Sequence, residues 1–340
     1  MKKKLFTIFQ YLVFLGIGFF LAWLSLKNLD DQKRHEIAIA VKHARYWLVI
    51  PVFTILILAH LTRALRWKLL INSLGYHPKT SNTFFAVMCG YLINLALPRF
   101  GEILKCTLLA RYEKVPADKL IGTIILERVI DAITLVLILF ITFVIQPDIY
   151  TDLINTFFHS PHEKHKRKIA GWIIALIVLG VIAVIIILWM IFKKKNLSDL
   201  AAVFKRIGRS VWQGISAVEH LKRRWTFLFY SVLLWFLYFI AGYIGFFALQ
   251  ETSRQVGVDQ GFAVLSAGSI GMTIMPGGIG AYPLLIGKTM EIYGLNESIA
   301  TAFGWILWVV QTGLILLVGI ISFVLLPNLN KKKIPPPETA

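Results

Sequence analysis

Seven ionisable side chains stand inside otherwise apolar blocks of this 340-residue chain: Arg99, Glu102, Glu127, Arg128, Asp131, Lys288 and Glu291. Each costs about 2.5 to 3.5 kcal/mol at the centre of a membrane helix on insertion scales, so each needs a partner, a wet cavity or a ligand. In a helix Glu127 and Asp131 are i and i+4 and share a face, and Arg128, three residues before Asp131, reaches the same side. Arg99 and Glu102 bracket a break in a different block. If these five meet, Arg99 and Arg128 offer donors to a phosphate, and Glu102, Glu127 and Asp131 hold a cationic group or a proton, or tune the arginines. The same residues could instead close into an ion-pair network that only fixes helix packing, and residue type leaves both readings open. Lys288 and Glu291 precede the polar stretch 293–297 and read as lying near a surface rather than along a substrate path.

The elements that position these residues follow from composition. The chain is 57% hydrophobic and only 16% charged, with a mean hydropathy of +0.70, more apolar surface than a soluble fold buries. Six blocks, at about 5–26, 46–64, 120–145, 169–192, 225–249 and 300–326, are long enough to span a bilayer. The run at 5–26 is too long for a signal-peptide core and reads as a retained first span. Two further blocks, 81–110 and 262–293, are interrupted by Leu97-Pro98-Arg99-Phe100-Gly101-Glu102 and by Met275-Pro276-Gly277-Gly278-Ile279-Gly280. Proline ends a helix and glycine permits unusual backbone angles, so each reads as a re-entrant hairpin whose turn cannot face lipid. Counted on this plan, most lysines and arginines fall on the side of the N-terminus, which predicts cytoplasmic termini.

The expected fold is therefore an all-α polytopic transmembrane bundle with about six full spans and two broken hairpins. Residues 46–145 read span, hairpin, span, and residues 225–330 repeat that order with opposite orientation, the pattern of an inverted-repeat transporter with its site at the repeat interface. Residues 1–45 supply a first helix and an external loop. Residues 146–224 supply an external loop, a span and a cytoplasmic linker, which from 193 is amphipathic with a basic face suited to anionic lipid. Residues 331–340 form a cytoplasmic tail. The glycine break at Pro276, Gly277, Gly278 and Gly280 carries no charge, so it offers a hinge or backbone N–H groups for an anion.

Several function classes are excluded or weak. The formal net charge of +18 sits beside spans, where topology and anionic headgroups account for it, so nucleic acid is not an expected partner. No stretch between blocks is long enough for a catalytic domain. Cys89 and Cys106 show no disulfide or metal spacing and read as packing residues. His159, His162 and His165 lie in a polar loop among basic residues and read as solvated; neither metal nor cofactor is expected. Arg63, Arg66, Trp67 and Lys68 read as an interfacial anchor following the second span.

Four motifs in this order, Arg63-x-x-Arg66-Trp67, Asn94-x-x-x-Pro98-Arg99-x-Gly101-Glu102, Glu127-Arg128-x-x-Asp131 and Pro276-Gly277-Gly278-Ile279-Gly280, resemble the lysylphosphatidylglycerol synthase transmembrane family over about residues 40–326. The resemblance implies a flippase-like protein of the inner membrane, related to the flippase part of the multiple peptide resistance factor, with Asn94, Arg99, Glu102, Glu127, Arg128 and Asp131 binding substrate. It implies Pro98, Gly101, Pro276, Gly277, Gly278 and Gly280 as hinges or backbone anion sites. Two departures matter. The larger synthases carry a soluble acyltransferase-like domain absent from this sequence, so the expectation is not an enzyme. Many members also have a glutamate three residues after the PGGxG motif, where this chain has Pro283. The expected activity is movement of a phospholipid or lipid-linked headgroup between leaflets. A membrane-embedded transferase or accessory subunit is the alternative, followed by a small-solute transporter. Expected partners are that lipid substrate and anionic membrane lipids; a separate lipid-modifying enzyme and a second copy of the chain are further candidates.

Overall fold

The computed structural model describes residues 16–27, 30–97, 99–149, 152–153, 221 and 223–331. The expected span at 169–192, most of the linker at 193–224, the histidine loop, Pro98 and the tail lie outside the described residues. Among the described residues every regular element is helical. Four helices are long and apolar enough to cross a membrane: α3 (Val49–Ser73), α6 (Ala117–Ile145), α7 (Arg224–Gly245) and α10 (Glu297–Leu329). The described part of the first apolar block forms α1 (Gly16–Leu26).

Both broken blocks are helical hairpins. The first joins α4 (Thr80–Ala96) to α5 (Phe100–Glu113), and the second joins α8 (Val258–Ile274) to α9 (Ala281–Ile292). At 1.5 Å per residue the arms are about 18 to 26 Å long, short of a 30 Å hydrocarbon core. Their bases lie at opposite ends of the bundle. At one end Asn82 of α4 donates to Glu113 of α5 and exchanges hydrogen bonds of 3.0 and 2.9 Å with Asn330, just past α10. At the other, Gln146 after α6 donates to Asp259 of α8 at 2.9 Å and accepts from Tyr293 after α9. The tips meet in between: a Cβ on Gly277 would stand 2.9 Å from Leu95, and the Gly277 carbonyl accepts from Trp308 Nε1 of α10 at 2.8 Å.

Glycine makes these contacts close. A Cβ on Gly101 would sit 1.9 Å from the Gly90 carbonyl oxygen, so α4 and α5 touch backbone to backbone just below their turn. The turn itself is held by Asn94, whose Oδ1 accepts from Gly101 N at 2.8 Å, and it places Arg99 in the left-handed region at φ 65°. In the second tip Gly277, Gly278 and Gly280 all have φ between 61° and 72°. There a Cβ on Gly280 would lie 2.4 Å from backbone atoms of Gly18 and Ala22, so α1 rests on this tip.

Two local expectations are corrected. The segment 27–45, read as a loop, contains the amphipathic helix α2 (Asp31–Lys42), capped by Asp30 Oδ1 accepting from Lys33 N at 2.8 Å. Its Ile37 and Ala40 pack on the core formed by α9 and α10. The second span does not end near residue 64 either. α3 continues to Ser73 and carries Arg63, Arg66 and Trp67 into the interior, so they are core residues and not an interfacial anchor. Hydropathy falls at these arginines, but paired guanidinium groups do not terminate a helix.

Candidate functional site

Two charge systems lie back to back around α6. The inner one is closed. Glu127 and Asp131, one turn apart on α6, face α3, whose Arg63 and Arg66 are also one turn apart. Arg63 Nη1 contacts Glu127 Oε1 at 3.3 Å and Asp131 Oδ2 at 2.7 Å, and Arg66 Nη2 contacts the same two carboxylates at 3.3 and 2.6 Å. From α5, Lys105 Nζ reaches Glu127 Oε2 at 3.0 Å. Every oxygen of both carboxylates is therefore engaged by a cation.

The surroundings keep this network dry. Arg66 and Glu127 are 0% and 1% exposed. The Arg66 guanidinium lies over the Phe227 ring, and its Nη1 donates to Ser231 Oγ on α7 at 3.4 Å. Lys105 Nζ stands 4.7 Å from the Trp67 ring, whose Nε1 donates to Thr123 Oγ1 of α6 at 2.9 Å. Four helices are thus tied through one knot with three formal positive and two negative charges. Removing one partner from such a knot leaves an uncompensated buried charge, a loss of about 3 to 5 kcal/mol. Beside it His60, one turn before Arg63, is buried against Tyr91 and Tyr238, and neither ring nitrogen has a hydrogen-bond partner among the described residues.

The outer system is open. Arg128 points away from the knot, and its Nη2 meets Glu102 Oε1 of α5 at 2.7 Å. The Arg128 side chain is 46% exposed and that of Glu102 is 27% exposed. The pair forms the polar rim of an otherwise apolar groove of about 530 Å³ bordered by Ile124, Ile125, Val129, Ala132, Ile133 and Val136. Arg99, at the hairpin turn three residues before Glu102, is exposed and has no ion pair among the described residues. At 1.5 Å per residue Arg128 stands about 17 Å from the start of α6, so this rim is at hydrocarbon depth.

The expected meeting of five charges is thus divided. Glu102 and Arg128 do pair, but Glu127 and Asp131 take Arg63, Arg66 and Lys105 instead of Arg99 or Arg128. Arg63 and Arg66, expected at an interface, are interior, and Lys105 joins them without any local signal of its own. The signal that finds them is the i,i+3 spacing of Arg63 and Arg66, which matches the i,i+4 spacing of the two carboxylates. Asn94 is spent on the hairpin turn. In the second tip Gly278, Ile279 and Ala281 donate their N–H groups within the turn, and Gly277 and Gly280 pack closely on Leu95 and on the α1 backbone. Lys288 pairs with Glu291 at 2.8 Å and approaches Glu297 at 3.7 Å, and Lys33 of α2 also binds Glu297 at 2.8 Å. The Glu297 hydrogen bond raises the Lys33 ammonium above its ordinary value.

This arrangement has relatives. The UPF0104 membrane protein MJ1595 of Methanocaldococcus jannaschii is 34% identical over 100 residues, a match covering 28% of this chain and 29% of that protein. No solved structure matches the chain. The family model described as the lysylphosphatidylglycerol synthase TM region matches residues 8–319 and so takes in both hairpins and both charge systems. The chain is a helical membrane protein that belongs to the lysylphosphatidylglycerol synthase transmembrane-region family.

Proposed function

We propose that this protein moves a phospholipid or lipid-linked molecule between the leaflets of the inner membrane, headgroup through the protein and tails in hydrocarbon. The observation that carries this reading is the half-exposed Arg128–Glu102 pair at hydrocarbon depth on the rim of an apolar groove. The two groups neutralise each other but keep part of their donors and oxygens exposed, where a polar guest can bind them, and the groove below them suits an acyl chain. Two hairpins entering from opposite ends and meeting near the middle fit alternating access about a central site.

The reading does not make the protein an enzyme. A membrane-embedded transferase would need a free carboxylate as base, and the engagement of Glu127 and Asp131 by three cations disfavours them for that role. Both termini are assigned to the cytoplasm on the basic-residue asymmetry. The inner knot acts in this scheme as the rigid support of α6 rather than as the substrate site.

Leaflet exchange of headgroup-labelled lipids in proteoliposomes tests the proposal, with empty vesicles as the baseline. The wild-type chain should exceed that baseline for at least one lipid, and Arg128→Gln should return it to baseline while the protein still melts cooperatively. Wild-type exchange equal to that of empty vesicles across a panel that includes lipid-linked sugars rejects translocation.

A further inference from the structure

We infer that the phosphate group of a lipid has a station inside the protein, behind the Arg128–Glu102 pair, where His60, Arg63, Tyr91, Trp235 and Tyr238 present donors that meet no acceptor among the described residues. The inference rests on the reading of this protein as one that passes a lipid headgroup, and it adds the interior site and its residues.

Buried polar groups in folded proteins are hydrogen-bonded with few exceptions, so each exception asks for a water, an ion or a ligand. Here the exceptions gather. His60 is 3% exposed and neither ring nitrogen is paired, and Arg63 Nε and Trp235 Nε1 are buried and unpaired as well. The Tyr91 and Tyr238 hydroxyls make no hydrogen bond among the described residues, and both side chains are only partly buried. The rings form a row across three helices. The His60 ring of α3 lies 4.9 Å from that of Tyr91 on α4 and 6.4 Å from that of Tyr238 on α7, and Tyr238 lies 6.2 Å from Trp235.

What these groups lack is an acceptor. Arg63 Nε, Trp235 Nε1 and one nitrogen of a neutral imidazole can only donate, and each phenol has a hydrogen to give. The carboxylates that Arg63 already holds, Glu127 and Asp131, have every oxygen engaged by Arg63, Arg66 or Lys105. A phosphate brings several oxygens that accept at once, and the Arg63 contact would be charge-assisted. A headgroup ammonium is the poorer guest, since beside Arg63 it meets no free carboxylate.

Tyr91 connects this row with the open pair. Arg63 lies over the Tyr91 ring at 5.8 Å, and Tyr91 is within electrostatic reach of Arg128 as well as of Arg63 and Tyr238. Its neighbour Gly90 is the residue on which Gly101, next to Glu102, closes. The His60 nitrogens are themselves sealed, so a phosphate reaches them when the partly exposed Tyr91 and Tyr238 side chains swing aside. His60 and Arg128 are each about 17 Å from the starts of α3 and α6, which puts a phosphate at His60 about half-way across the hydrocarbon.

Solid-state NMR of the full chain, isotope-labelled at histidine and held in phospholipid bilayers, tests this through the dipolar coupling between histidine ring nitrogens and lipid phosphorus. The His60 signal is the one missing from His60→Gln. Bulk lipid phosphorus lies about 15 Å or more from the bilayer midplane, too far to couple there, so a coupled His60 reports an inserted headgroup. Coupling at His60 is the expected result. Tyr91→Phe and Tyr238→Phe keep the rings and remove only the hydroxyls. Each should lower the coupling and slow leaflet exchange about tenfold, the worth of one hydrogen bond to a charged group. In galactolipid bilayers with added inorganic phosphate no coupling should appear.

Absence of coupling in phospholipid overturns the inference, whether the His60 nitrogens then prove to be bound to an ordered water or unpaired. Coupling to inorganic phosphate in the galactolipid bilayer overturns the lipid source, and undiminished coupling in both phenylalanine variants overturns the role of the tyrosines. Coupling without leaflet exchange rejects the translocase and leaves the site standing; exchange without coupling does the reverse.

Discussion

The two hairpins solve one geometrical problem with different chemistry. Each must turn a chain around inside hydrocarbon, where unpaired backbone groups are costly. The first does so with a side chain, Asn94 Oδ1 on Gly101 N, and then carries charge immediately past the turn in Arg99 and Glu102. The second uses three left-handed glycines, donates the Gly278, Ile279 and Ala281 N–H groups within the turn and carries no charged side chain. A neutral, close-packed turn offers a headgroup no ionised side chain, whereas a turn that places an arginine and a glutamate at depth does. On the proposed function, charge recognition falls to the first hairpin.

That contrast can be broken by substitutions, beginning with the largest effect. Gly101→Val places a branched side chain where even a Cβ lies 1.9 Å from a carbonyl oxygen, so the α4–α5 contact cannot form. No folded protein should survive size-exclusion in mild detergent. Next, Glu127→Gln leaves Arg63, Arg66 and Lys105 facing one carboxylate and should cost about 3 to 5 kcal/mol, read as a lower melting temperature. Neutralising Lys105 as well should recover part of that loss, because the knot then returns to its original excess of one positive charge. A recovery of zero would mean that Lys105 and Glu127 are not coupled, against their 3.0 Å contact.

Gly277→Ala tests the second hairpin. It combines a positive φ with a Cβ 2.9 Å from Leu95 and should cost about 1 to 3 kcal/mol while leaving leaflet exchange by the folded protein intact. If exchange were lost at full folding instead, the contrast between the hairpins would be wrong. At the open pair Arg128→Gln should cost less stability than Glu127→Gln, because the part-exposed Glu102 it leaves unpaired can still reach water, while abolishing exchange. Equal stability losses for Glu127→Gln and Arg128→Gln would erase the distinction between closed and open charge systems.

Much of this was readable before any coordinates. The proline and glycine interruptions at 97–102 and 275–280 announce both turns, because few other residue patterns tolerate a break at that depth, and the lengths of the flanking blocks fix the arms. Glu102, Glu127, Arg128 and Asp131 announce themselves as charges among apolar neighbours. Their partners did not. Arg63, Arg66 and Lys105 fall where hydropathy is already declining, so a rule that treats arginine as a marker of water assigns them to the interface. Burial of an arginine depends on a carboxylate some sixty residues away in sequence, and no local window contains that information. The helix α2 escaped for a related reason, since its few apolar side chains matter only once α9 and α10 supply a surface for them.

The contact of α1 with the second tip bears on the order of assembly. Gly18 and Ala22 meet Gly280 across about 260 residues of chain, and Ser25 accepts from Trp305 beyond it. At about 5 to 20 residues per second the ribosome needs roughly 13 to 50 seconds to make that partner after α1 has left it. During this interval α1 is in the membrane without the second tip, whereas α4 and α5 can zip together as soon as both emerge. Biogenesis is therefore expected to be lopsided, with the first hairpin formed before α1 docks on the second.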